Sequence, residues 1–310
     1  MGQFRFGVQV SSLTNDSRSL ISIARQAEEL GYSSLFLPDH LGGDQWSPLA
    51  ALGAIAVSTE SIHIGGLVFC NDYRSPVLLA QEVSTIHELS GGRVEFGLGA
   101  GWMKSDYEQI GMSFDRPGVR IERLEEALTI ISQLFLRQRV SFSGKHYQIR
   151  DAMLPASALA HQPKLIVGGG GKKMLELAAR SADIVGINVN LSSGVVGPEL
   201  VAEVGREAFL KRVDWVRQSA PSKFEKLELQ CLTFVAKVSS DANDWLAAMA
   251  PAFGMTGDQA KEVPIVLAGD VEEVCDVIEQ RRNEFGFSYW VVHQNELEEF
   301  APIVARLSGK

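Results

Sequence analysis

A (β/α)8 TIM barrel is the fold class this sequence predicts, on three observations. Short apolar runs and amphipathic stretches alternate eight times along the 310 residues, the pattern of a parallel sheet with helical crossovers. Eight such units close most naturally into a barrel, which commonly takes about this length as one domain. No linker or low-complexity tract divides the chain, so one domain over 1–310 is expected. A doubly wound open sheet is the competing arrangement.

The elements follow in order. Residues 4–10 (FRFGVQV) form the first strand-like run. A helix over 16–30 places Leu20, Ile23, Ala24, Ala27 and Leu30 on one face, with Gly31 as its stop. Residues 34–38 (SLFLP), 62–68 (IHIGGLV) and 93–98 (RVEFGL) supply strands two to four, separated by helices over 47–57 and 77–89. The helix over 118–135 carries the stripe Ile121, Leu124, Leu128, Ile131 and Phe135. Residues 140–149 alternate around Ser143-Gly144-Lys145, which predicts an inserted β-hairpin. Strands five to eight fall at 164–167, 183–187, 228–235 and 288–292, with Tyr289 to Val292 read as buried strand. Helices fall at 172–181, 205–220, 241–252, 271–284 and 297–307, and Asp270 with Glu273 makes a capping box. The long segment from Asn188 to Gly205, rich in Ser and Gly, is expected to cover the barrel mouth.

Composition narrows the function. The net charge of −9 argues against nucleic acid or an anionic membrane as partner. Cys70, Cys231 and Cys275 are odd in number and lack metal-type spacing, so no metal is expected and a cytoplasmic setting is. No signal segment or membrane span is read.

In a barrel of this class the chemistry sits on the loops after the strands. Strand two ends in Pro38-Asp39-His40. A carboxylate beside an imidazole suits acid–base work, or Asp39 caps a turn and His40 is a polar loop residue. Trp46 walls a planar ligand or simply packs. Beyond strand three, Cys70 is read as a small buried residue, and Arg74 either holds an acidic group or pairs on the surface. Gly97-Leu98-Gly99-Ala100-Gly101-Trp102 lets backbone approach a ligand, but lacks the dinucleotide spacing of the nicotinamide dehydrogenases. Gly168, Gly169, Gly170 and Gly171, followed by Lys172 and Lys173 at a helix start, make the most specific local signal, an anion-binding nest. It is not a Walker A loop, and a flexible turn with solvated lysines is the alternative.

These pieces, in this order, resemble the luciferase-like monooxygenase superfamily over nearly the whole chain. The carriers are Pro38-Asp39-His40, the Ser90-Gly91-Gly92-Arg93-Val94 lead, Gly97 to Trp102, and Asp115-Arg116-Pro117-Gly118 running to Arg123-Leu124-Glu125-Glu126-Ala127. The Ser143 to Tyr147 hairpin, the glycine run and Ala178 to Asp183 complete them. The Gly168 to Gly171 run and Asn71-Asp72-Tyr73-Arg74 make the chain most similar to members using the deazaflavin coenzyme F420. Members using reduced FMN and oxygen are the alternative, and a non-catalytic flavin-binding protein is the second.

The resemblance implies roles. Asp39 would contact the cofactor ring and His40 would be the catalytic acid–base. Val68, Phe69, Cys70 and Asn71 would press a bulge against the ring, with a non-prolyl cis bond around Phe69 to Asn71. Gly99, Gly101, Trp102, Gly168, Gly169, Gly170, Gly171 and Lys172 would hold ring edge, ribityl chain and phosphate. Trp46 and Asn188 would line the substrate pocket. Where some sugar-phosphate dehydrogenases of the family carry a glutamate, this chain has Ala100-Gly101-Trp102, which argues against that substrate. A homodimer, a small-molecule substrate and a separate cofactor reductase are the expected partners.

Overall fold

Each apolar run read as a barrel strand contributes a strand to one parallel sheet, though not always over its full length. The computed structural model describes residues 2–11, 19–42, 45–156, 161–194 and 203–310. The chain opens with β1 (Arg5–Gln9), α1 (Leu20–Glu29), β2 (Ser34–Leu37), α2 (Pro48–Ala56), β3 (His63–Gly66), β4 (Phe69–Cys70) and α3 (Pro76–Leu89). It continues through β5 (Glu95–Gly99), α4 (Lys104–Gln109), α5 (Pro117–Phe135) and the hairpin β6 (Val140–Ser143) and β7 (Gln148–Ala152). Then come β8 (Lys164–Gly169), α6 (Lys172–Ser181), β9 (Ile184–Ile187), α7 (Arg206–Ser219), β10 (Glu228–Leu232) and β11 (Val235–Val238). The last elements are α8 (Ala242–Met249), α9 (Gly257–Lys261), β12 (Val266–Gly269), α10 (Val271–Phe285), β13 (Phe287–His293) and α11 (Leu297–Leu307).

The main sheet runs β3-β2-β1-β13-β10-β9-β8-β5-β4, and its pairings are parallel. A parallel bridge joins Ile64 of the edge strand β3 to Val94, just before β5 near the other end of the sheet. The sheet therefore closes, and the open doubly wound arrangement is excluded. β3 and β4 are two parts of one stave, interrupted at Leu67-Val68, whose peptide is cis. The cis bond was expected around Phe69 to Asn71 and lies slightly earlier.

Strand side chains alternate between the barrel interior and the helical layer. Arg5 on β1 pairs with Glu95 on β5, a contact that crosses the barrel because those strands are not neighbours. Phe36, Ile166, Ile184, Tyr289 and Val291 pack with it as a separate, smaller buried cluster. Phe4, Phe6 and Val8 face outward into the larger core beneath the helices. Proline at the first turn of α2, α3 and α5 presets the helical φ. The Asp270–Glu273 capping box forms as read. The inserted hairpin forms too, antiparallel.

Two expectations need correction. The run 228–235 is not one strand. β10 ends at Leu232, and β11 leaves the barrel to pair in parallel with β12. Both pieces are apolar, so hydropathy does not mark the change of partner. The short helices α4 and α9 were not anticipated, being too brief to show a period. Of the segment expected to cover the mouth, residues 195–202 lie outside those described. Its start does reach the mouth, where Asn188 and Leu191 line the cavity described below. Among the described residues no helix is long and apolar enough to cross a membrane, and no group of His, Cys, Asp and Glu is placed to hold a metal ion.

Candidate active site

A cavity of about 740 Å³ opens at the C-terminal ends of the strands. Asp39, His40, Val68, Phe69, Cys70, Gly99, Gly101, Trp102, Gly168, Gly169, Gly170, Gly171, Lys172 and Asn188 line it. Barrel closure thus gathers segments widely separated along the chain. Two expected residues are not among its lining. Trp46 is 52% exposed, and its neighbour Gln45 reaches the cavity instead. Asn71 is buried behind the wall, where its Nδ2 donates to Tyr147 Oη of the hairpin at 3.1 Å. Its place one residue past β4 turns the side chain toward the insertion rather than the barrel axis.

His40 is held from behind. Its Nδ1 lies 2.7 Å from Asp106 Oδ2 on α4, and Asp106 is fully buried. The same carboxylate accepts from Tyr73 Oη at 3.2 Å and from the Leu41 N–H at 3.4 Å. A carboxylate at Nδ1 favours the proton there and leaves Nε2 free to accept one. Trp102 meets the imidazole edge-on at 5.4 Å, fixing the ring's other side. Asp106 escaped the sequence reading because α4 carries no periodic signal. The carboxylate beside Tyr107, shortly after Trp102, was the only available clue.

Asp39 is committed elsewhere. Arg74 grips both its oxygens, at 2.5 and 2.9 Å, and the Cys70 N–H donates to Oδ2 at 2.9 Å. Of the two readings of Arg74, the neighbouring carboxylate is the one observed. The fork ties the ends of β2 and β4 together. Burial pushes the Cys70 thiol up to about 11, so it stays protonated at neutral pH and is no nucleophile. Behind it, Tyr107 Oη donates to Asp72 Oδ2 at 2.9 Å. Arg123 bridges Asp72 at 2.6 Å and Asp115 at 2.5 Å. Gly101, at φ +73°, has Tyr107 Oη where a Cβ would stand, so any larger residue would collide.

The glycine run builds the opposite wall. Gly168 is registered with Gly186, which leaves a flat strip across two strands, and Gln230 stands beside Gly186 on the third. A Cβ on Gly99 would meet Val68 Cγ2 at 2.6 Å. One on Gly170 would run into the Val189 backbone. Arg212 anchors the loop from behind, its Nε donating to the Gly170 carbonyl at 3.1 Å. Gly171 caps α6 without any side-chain cap bond, so the first-turn N–H groups and the helix dipole face the cavity end. Lys172 and Lys173 both line it. A flat wall, glycines beside Val68 and an uncapped helix start suit a planar ring carrying a phosphate.

The sequence profile of the luciferase-like monooxygenase family matches residues 2–214. An F420-dependent glucose-6-phosphate dehydrogenase of Microbacterium testaceum is 33% identical over 58% of this chain and 55% of its own length. A 5,10-methylenetetrahydromethanopterin reductase of Archaeoglobus fulgidus is 34% identical over 53% of this chain and 47% of its own. The chain thus matches about half the length of these curated relatives. Among solved structures, the coenzyme F420 dependent tetrahydromethanopterin reductase of Methanopyrus kandleri superposes with a TM-score of 0.77 at 18% identity, covering 99% of this chain and 100% of that one. That likeness concerns the fold.

Proposed function

The chain belongs to the luciferase-like monooxygenase family, and on that premise we propose that it is an oxidoreductase working with coenzyme F420. Its reaction would be hydride transfer between the reduced deazaflavin and a small organic substrate bearing a carbonyl, an imine or an activated alkene. The observation that carries this reading is the union, in one cavity, of His40 braced by Asp106 with the uncapped glycine-rich start of α6. The relatives of Microbacterium testaceum and Archaeoglobus fulgidus support it by their names and identity.

When bound, the deazaflavin supplies the hydride chemistry. The chain supplies orientation and protons. Gly168 to Gly171 and the α6 N-terminus hold the phosphate. The flat strip of Gly168 and Gly186, with Gly99 and Val68 opposite, seats the ring. His40 moves the proton at Nε2 while Asp106 fixes its tautomer and direction. Trp102, edge-on to His40, excludes water from that side. Trp102 also occupies the region where some sugar-phosphate dehydrogenases of the family place a glutamate, so glucose 6-phosphate is not the substrate we propose.

The test is a parallel titration of the purified protein with F420 and FMN, followed by fluorescence. Tight F420 binding with weak FMN binding is expected. The reverse would make this a reduced-flavin, oxygen-consuming monooxygenase, and binding of neither would overturn the site. Tight F420 binding without turnover on any carbonyl, imine or enone would leave a binding protein.

A further inference from the structure

Arg120 lies on the first turns of α5 and lines the same cavity, yet only 2% of its surface is exposed. Its one side-chain hydrogen bond among the described residues runs from Nη1 to the backbone carbonyl of Asp115, at 2.5 Å. Nε is buried without a partner. The guanidinium stacks on Phe114, 3.9 Å from the ring centroid, and forms no ion pair among the described residues. The two nearby carboxylates are spoken for, since Arg123 bridges both Asp72 and Asp115. Asp39, the carboxylate in the cavity lining, is gripped by Arg74.

This arrangement is unusual for a structural arginine. A buried guanidinium normally has a carboxylate or a full set of carbonyls, because its desolvation is costly. Arg120 has one carbonyl and an aromatic face, with donors left over. Burial draws its pKa down, against the fields of Tyr107 and Asp72, but a guanidinium remains charged throughout the working range. Lys172 and Lys173 line the cavity as well. The pocket is therefore cationic in a protein of net charge −9, and Arg120 is a cation of it separate in sequence and element from the glycine-rich loop.

We propose that Arg120 is an anion-recognition residue of the cavity, receiving a carboxylate or phosphate oxygen of a bound molecule on its free Nε/Nη2 edge. The proposal deepens the functional reading above and rests on it for the choice of probes. Two sources share this chemistry, the anionic tail of F420 and an acidic group on the substrate. An unpaired fork fits either, since both present two oxygens in a plane.

The experiment compares wild type with Arg120→Met and Arg120→Lys. Affinities for F420 and for its tail-less deazariboflavin are measured first. Inorganic phosphate and succinate are then titrated into the F420-saturated proteins, followed through deazaflavin fluorescence and thermal midpoint. A tenfold or larger loss of F420 affinity in Arg120→Met, with the tail-less compound unaffected, assigns the tail. Unchanged F420 affinity with a tenfold weaker response to phosphate or succinate assigns the substrate's anion. In either case Arg120→Lys, which keeps the charge but loses the fork, should fall between. Wild-type behaviour of Arg120→Met in every titration overturns the proposal and leaves Arg120 a packing cation on Phe114. If Arg120→Met does not fold, Arg120→Lys decides: a smaller but measurable loss in either titration upholds the proposal, and wild-type behaviour in both overturns it. If wild type binds neither F420 nor FMN, the functional reading falls. The phosphate-induced thermal shift, read without cofactor, then still decides Arg120: its loss in the variant upholds the proposal and its retention overturns it.

Discussion

At the N-terminal end of the barrel, Arg5 pairs with Glu95 and with Glu228, the latter at 2.9 Å. Tyr289 Oη donates to Glu95 Oε2 at 2.7 Å and also meets Ser34 Oγ, and the Arg5 guanidinium lies 4.3 Å from the Tyr289 ring centroid. At the C-terminal end, His40, Arg120 and the start of α6 each keep a donor or acceptor with no hydrogen-bond partner among the described residues. Both ends bury polar groups. The lower one pairs its central charges with one another, while the upper one leaves a hydrogen-bonding atom of each functional group turned to the cavity. The difference teaches where binding can occur, since a saturated network has nothing to offer a ligand and a half-saturated one does. It also separates stability from activity, with the base of the barrel serving the first and the mouth the second.

The sharpest way to break this comparison is to cut each end in turn. Glu95→Ala leaves the Arg5 charge without its innermost partner and should cost about 3–5 kcal/mol of stability, read as a lower denaturant midpoint. Cofactor affinity in the surviving folded protein should be unchanged. A loss of F420 affinity without a loss of stability would mean that the lower network serves the site.

His40→Ala should do the opposite. Turnover should fall about 10²–10⁴-fold, while F420 affinity and thermal midpoint stay near wild type. Unaltered turnover would remove His40 from the mechanism. Asp106→Asn should give a smaller fall, in kcat rather than KM, because it acts through the orientation of His40. Asp106→Glu should restore part of it, whereas a merely structural Asp106 would lower the thermal midpoint in both variants and leave kcat alone.

The smallest expected effect lies outside both ends. Glu296 accepts from the His293 and Ala236 N–H groups, each at 2.9 Å, but burial outweighs these bonds and pushes its carboxyl up to about 7. A raised carboxyl favours the protonated form in the fold, so this contribution is present at low pH and is lost as pH rises from the unfolded value toward 7. With the group partly exposed, about 1–2 kcal/mol of stability should disappear across that window. Glu296→Gln should flatten the dependence, and an equal slope in the variant would assign it to other groups.

The strands and long helices were legible because their signals are local. Alternation of apolar runs, Pro at the first helical turn and Gly after the last are read from neighbouring residues alone. So were Pro38-Asp39-His40 and the glycine run, since strand ends followed by unusual residues stand out without knowledge of what faces them. Trp46 misled for the same reason, because a tryptophan near a strand end looks like a wall whichever way it points. The passage from β10 into β11 was invisible, as both are equally apolar.

By itself, then, the sequence determined the barrel, the order of its staves, and the residue types presented at their C-terminal ends. Only the tertiary structure decided that Asp106 stands behind His40, that Arg74 occupies Asp39, that Asn71 turns to Tyr147, and that Arg120 is buried without an ion pair among the described residues. Each of these is a contact between separate segments that barrel closure brings together. Their strength comes from burial and from the angle at which the groups meet, and neither has any trace in the spacing of residues along the chain.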